Sequence, residues 1–250
     1  INALQLSSAF VLSSADGSAR YMSLPLPNVV KISGSGDGFA PTLMPNGRVM
    51  GINHHQSDPN IWCYDRSIRA ECQGYPKKLG AANGMSPMIV RQGLKLYIGD
   101  DSAGNSYGQQ GRIYCWDAER DSACGASPVV EGGGYVGPVE IGDQLYVWTR
   151  NGAIDCYDPK NNLQRCVGFN PVAMGVNAIN SQYWWEFGND ILAIGKRIFI
   201  ANTEGKLACF DTNTHSKCSN WVANPINTNK GFSDVFKRFD ANGQVTGLCV

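Results

Sequence analysis

Apolar and polar residues alternate in short runs along most of the chain, and Gly, Asn, Asp or Pro closes nearly every run. The stretches FAPTLMPNGRVMGIN, MSPMIVRQGLKLYIGD, YVGPVEIGDQLYVWT and FGNDILAIGKRIFIAN each hold two such runs about a turn. Alternation with period two places one face of an extended strand in a core, so each stretch predicts a pair of antiparallel strands, A and B. Each continues through a connection of variable length into one of four related phrases: IWCYDRSIRAEC, IYCWDAERDSAC, IDCYDPKNNLQRC and LACFDTNTHSKC. All four read apolar-x-Cys-aromatic-Asp, then six or seven residues, then Cys. Two more strands follow: C carries the first cysteine and D the second.

The first cysteines of successive phrases lie 52, 41 and 53 residues apart. A repeat of that period built of strands marks the four-stranded blades of a propeller, because helical solenoids would show a 3.6-residue pattern. The 250 residues leave room for about five such units. The expected fold is therefore all-β, a β-propeller of about five four-stranded antiparallel blades forming a single domain over residues 1–250. At the N-terminal end, AFVLSS and ARYMSL read as strands B and C of a degenerate unit without cysteines. The tail DVFKRFDANGQVTGLCV has two readings: a C–D hairpin with Arg238 replacing the first cysteine, or an A–B pair matching NGRVMGIN. Cys209 and Arg238 are too close for a whole blade to lie between them, which favours the A–B pair.

The four cysteine pairs are Cys63 with Cys72, Cys115 with Cys124, Cys156 with Cys166, and Cys209 with Cys218. Zinc knuckles need CxxC spacing or accompanying histidines, and this chain has three His and cysteines nine or ten apart, so no metal is expected. Facing residues of an antiparallel hairpin lie within disulfide range, which predicts four local bridges between strands C and D. Four bridges imply an oxidising compartment, secreted or extracellular. Cys249 is left over and is expected to be free or joined to another chain.

Acids and bases balance at 21 each and only 17% of residues are charged, which removes the basic excess expected of a nucleic-acid or anionic-membrane binder. No apolar run reaches the ~18 residues of a membrane span. The chain opens at Ile1 without an initiator Met or a signal peptide, which reads as a processed protein or part of a longer one.

The phrases NGAIDCYDPKNN and EGKLACFDTNTH resemble the G-x-[LIV]-x-A-[LF]-D-x-x-[TN]-G phrase of the PQQ-like (quinoprotein-type) propeller repeat, over four units of about 40 residues. The resemblance implies that Asp65, Asp117, Asp158 and Asp211 end strand C and accept backbone N–H groups of the following turn. The quinone dehydrogenases of that family are about twice this length and carry a vicinal disulfide and Trp docking positions. Here no two cysteines are adjacent, and cysteine stands where the family has a small residue, making this a disulfide-bearing variant for which no cofactor is expected.

In a propeller, function sits on the face where the B–C loops and D–A connections emerge. The candidates there are His54, His55, Gln56 and Asp58 in NHHQSDPN; Asp101, Tyr107, Gln109 and Gln110 in DDSAGNSYGQQGR; and Tyr183, Trp184, Trp185 and Glu186 in NSQYWWEF. Their side chains combine hydrogen bonding with stacking surface. No Gly-x-Ser-x-Gly elbow and no P-loop context is present, so catalytic residues are not assignable. The expected function is a secreted binding or adhesion module whose loop face meets a glycan, peptide or protein. The alternative is an extracellular propeller lyase, hydrolase or oxidoreductase that uses acids and histidines of the same face.

Overall fold

The computed structural model describes residues 9–12, 19–22, 37–54, 60–79, 85–100, 110–125, 129–132, 135–149, 152–176, 190–201, 206–219, 236–240 and 244–249. Among these, four antiparallel sheets follow one another along the chain, each ordered A-B-C-D as a simple meander. Sheet I consists of Asp37–Leu43, Arg48–His54, Asn60–Asp65 and Ala70–Glu71. Sheet II consists of Met85–Gln92, Lys95–Asp100, Gln110–Asp117 and Ser122–Ala123. Sheet III consists of Tyr135–Ile141, Gln144–Thr149, Ala153–Asp158 and Gln164–Arg165. Sheet IV consists of Asp190–Ile194, Arg197–Ala201, Leu207–Asp211 and Ser216–Lys217. The fold is an all-β propeller architecture, as the repeat predicts.

Strand D is less continuous than the alternation suggests. In sheets I to III it breaks at the second cysteine, one residue past Glu71, Ala123 and Arg165, and resumes at Lys77–Lys78, Val129–Gly132 and Val172–Ala173, again paired with strand C. The break in sheets I and III is a tight turn in which the N–H of Tyr75 bonds the Cys72 carbonyl and that of Phe169 the Cys166 carbonyl. Gly74 and Gly168 occupy the turn at φ +78° and +74°, a conformation open to glycine and strained for other residues.

The C–D hairpins are nearly superposable in their chemistry. Asp65 accepts the N–H of Ser67 at 2.8 Å, Asp117 that of Glu119 at 3.0 Å, Asp158 that of Lys160 at 2.8 Å and Asp211 that of Asn213 at 2.9 Å. These Asx turns fill the role that the resemblance assigns to the four aspartates. Three residues before each second cysteine, Arg69, Asp121, Leu163 and His215 take left-handed φ values of 49° to 56°. The second cysteine then donates its N–H to the carbonyl of the first. All four expected disulfides are present, with Cα atoms 5.2 to 5.4 Å apart.

The sheets pack face to face through three apolar clusters. Met50, Ile52, Ile61 and Tyr75 of sheet I meet Leu96, Ile98, Tyr114 and Trp116 of sheet II. Tyr97, Ile113 and Cys115 of sheet II meet Leu145, Val147 and Tyr157 of sheet III. Tyr146, Trp148 and Phe169 of sheet III meet Ile191, Ile198, Ile200 and Phe210 of sheet IV. Alternate residues of strands B and C serve the two neighbours in turn, which is why these strands are apolar on both faces. The disulfides of sheets I to III lie on the face turned toward the following sheet; the Cys209–Cys218 bridge of sheet IV packs with Phe199, Ala201 and Leu207 of its own sheet. The A strands of sheets I and II touch each other, as do those of II and III and of III and IV, and so line the inner side of the array.

The two ends of the chain form two-stranded hairpins, Ala9–Leu12 with Ala19–Met22 and Phe236–Phe239 with Val245–Cys249. A fifth four-stranded sheet is not found among the described residues. The tail follows the A–B reading. The N–H of Asp240 bonds the Gln244 carbonyl, as that of Met44 bonds the Arg48 carbonyl in the A–B turn of sheet I. The Asp240 carboxylate accepts from Gln244, four residues on, unlike the C–D aspartates, which reach two residues on. Cys249 pairs with Phe236 in the backbone ladder. Among the described residues, no helix is long and apolar enough to cross a membrane.

Candidate functional site

A meander sends its turns alternately to two ends. One end carries the A–B and C–D hairpins, the other the B–C loops and the D–A connections. At the hairpin end lengths barely change: the C–D turns comprise residues 66–69, 118–121, 159–163 and 212–215. At the loop end they vary widely. The B–C segments run 55–59, 101–109, 150–152 and 202–206, and the D–A connections run 79–84, 133–134 and 174–189.

Two of the sequence candidates, His54 and Gln110, are described, and both belong to the variable end. His54 is the last residue of strand B in sheet I and stands opposite Asp37 in the ladder. Gln110 opens strand C of sheet II, opposite Gly132. His55, Gln56, Asp58, Asp101, Tyr107, Gln109, Tyr183, Trp184, Trp185 and Glu186 lie outside the described residues. Among the described residues no group of three His, Cys, Asp or Glu side chains converges to hold a metal.

The hairpin end has a feature that the sequence reading missed. Between sheets I and II, Tyr75 is 8% exposed and donates its hydroxyl to Asp121, while the Trp116 indole N–H reaches the Tyr75 oxygen at 3.4 Å. Burial, reinforced by the bond to Asp121, pushes the Tyr75 phenol far above its ordinary range. Between sheets III and IV, Phe169 fills the corresponding place. Its ring lies 6.1 Å from Tyr146, 6.1 Å from Phe210 and 5.1 Å from His215, in edge-on contacts. Between sheets II and III lies a cleft of about 270 Å³ lined by Lys95, Tyr97, Asp117, Arg120, Asn162 and Leu163. Tyr97 is raised to about 12, first by burial and then by the charges of Glu140 and Asp117. The signal in the sequence is the third residue past each second cysteine: Tyr75 in the first unit, Phe169 in the third, Trp221 in the fourth, but Ser127 in the second.

No protein-family model matches the chain, and the search of curated proteins gives no match. Among solved structures, the chain is similar to the β-propeller domain of Myceliophteria thermophila Cps50 (Swd1), with a TM-score of 0.54 and 13% identity. That alignment covers 85% of this chain and 62% of the Cps50 chain, so this chain spans less than two thirds of its length. It also aligns with two computationally designed proteins, Ika8 and Ika4. Ika8 gives a TM-score of 0.48 at 9% identity over 84% of this chain and 67% of Ika8. Ika4 gives 0.45 at 10% identity over 68% of this chain and 92% of Ika4. At such identities the likeness to the Cps50 domain is one of fold, and the fold it supports is the β-propeller.

Proposed function

We propose that the chain is a secreted ligand-binding or adhesion β-propeller of the PQQ-like repeat type, whose loop face receives a glycan, peptide or protein. One observation carries this reading: length varies at the B–C and D–A end of the sheets while the A–B and C–D end keeps its turns nearly constant. A ring serving only as a scaffold has no use for variation on one side, whereas a binding face is built by it. Four disulfides within 250 residues fit an oxidising compartment. The shared Asx turn at Asp65, Asp117, Asp158 and Asp211 favours the PQQ-like repeat. The loop residues Tyr183, Trp184 and Trp185, with His54, His55, Gln56, Tyr107, Gln109 and Glu186, supply the pairing of ring faces and hydrogen-bonding groups that suits sugars.

A glycan array followed by titration of the strongest hit tests the assignment. Trp184→Ala, Trp185→Ala and His55→Ala are each expected to weaken that hit about tenfold, about 1.4 kcal/mol. Stability should stay within about 1 kcal/mol of the parent, as for surface substitutions generally. Variants that unfold, or that bind the glycan unchanged, would remove these residues from the face.

A further inference from the structure

The four C–D hairpins share their turn chemistry, but their bridges do not share their surroundings. Cys63, Cys156 and Cys209 are at most 1% exposed, and their partners Cys72, Cys166 and Cys218 at most 7%. In sheet II the first cysteine is as deep as its counterparts, Cys115 at 2%, while Cys124 is only half-buried. Both line the cleft between sheets II and III, together with Lys95 and Arg120. The backbone of this bridge matches the other three, with Cα atoms 5.2 Å apart and the N–H of Cys124 on the Cys115 carbonyl. Access sets it apart.

We propose that the Cys115–Cys124 bridge is a thiol–disulfide exchange site, which takes up a small anionic thiol as a mixed disulfide on Cys124. The cleft of about 270 Å³ is several times the ~30 Å³ that one water occupies in the liquid, so a small thiol has room beside the bridge. Exchange begins when a thiolate reaches one of the two sulfurs, and accessible bridges are the labile ones. The half-buried partner is the one that solvent reaches. The incoming sulfur therefore bonds Cys124 Sγ, the bond to Cys115 breaks, and its electron pair leaves on Cys115 Sγ, which takes a proton from water. The incoming sulfur is oxidised and Cys115 reduced, so the step needs no other oxidant or reductant. The lining holds two cations, Lys95 and Arg120, and one acid, Asp117, which is already engaged. Its carboxylate accepts the N–H groups of Glu119 and Arg120 and faces the Arg120 guanidinium at 3.8 Å. Positive charge here attracts the attacking thiolate and stabilises the leaving one. The site lies at the hairpin end, apart from the loop face, and does not rest on the function proposed for that face.

The test uses intact, oxidised protein whose free thiols, Cys249 included, are first blocked with N-ethylmaleimide. It is treated with 2-mercaptoethanesulfonate without denaturant, quenched with acid at early times and mapped by peptide mass spectrometry. The Cys115–Cys124 bridge should open at least about tenfold faster than each of the other three, with the adduct on Cys124. Rates are compared with exchange of the same thiol into bis(2-hydroxyethyl) disulfide, which removes differences in intrinsic reactivity. On that scale the anionic thiol should be favoured over cationic cysteamine. Arg120→Glu should cut the preference about threefold at low salt, and ~1 M salt should lessen it in the parent. Another bridge opening first, all four opening together, adducts on Cys115, or a charge preference absent from the parent or unchanged by Arg120→Glu would each overturn the proposal. So would four bridges that stay closed while the reference disulfide is consumed.

Discussion

Gly51 and Trp62 face each other across strands B and C of sheet I. The indole lies over the glycine and donates its N–H to the Ile52 carbonyl at 3.2 Å. A Cβ at Gly51 would overlap that ring, so the strand carries glycine where β-propensity alone would choose a branched residue. Gly51→Ala is expected to cost about 1–3 kcal/mol through overpacking, read as a lower urea midpoint. Combining it with Trp62→Leu should cost less than the sum of the two single changes, because the second removes the ring that the first collides with. Additive losses would show that the two residues do not share the space.

At the scale of the element, the C–D hairpin is the most completely specified part of the chain. An Asx turn, a left-handed residue and a covalent bridge all act within about ten residues. Each closed loop of that size contributes about 2 to 3 kcal/mol by restricting the unfolded chain. Peptide mapping without reduction should recover four bridges, each internal to one unit, and a Cys63→Ala, Cys72→Ala pair should lower the unfolding midpoint without changing the other three. A bridge between units would contradict the hairpin register. These hairpins were legible in the sequence because every constraint on them is local. The split of strand D was not, since it occurs alike in sheets I, II and III and a break in pairing within one strand leaves no mark on the alternation of apolar and polar residues. The B–C and D–A connections follow no repeat at all, and composition alone could nominate His55, Tyr107 or Trp184.

Across the whole molecule, phenols sit between sheets and couple packing to alkaline pH. Burial first, then the bond to Asp121, raises Tyr75; burial raises Tyr97 to about 12; burial raises Tyr146. A folded pKa above the unfolded value of about 10 stabilises the fold at pH below 10, and this contribution is lost as pH rises through the folded values. The urea midpoint should therefore hold steady from pH 8 to about 9.5 and fall above about pH 10. Tyr97→Phe should make that fall shallower, and an unchanged slope would place the phenol in contact with solvent. The locality of the cross-links also has a consequence in time. Eight cysteines can pair in 105 ways, yet every partner here lies nine or ten residues away. A chain emerging from its N-terminus can close Cys63 to Cys72 before Cys115 exists to compete, and the same holds at each later unit. Oxidation can thus keep pace with synthesis one hairpin at a time, with little need for shuffling among wrong partners afterwards.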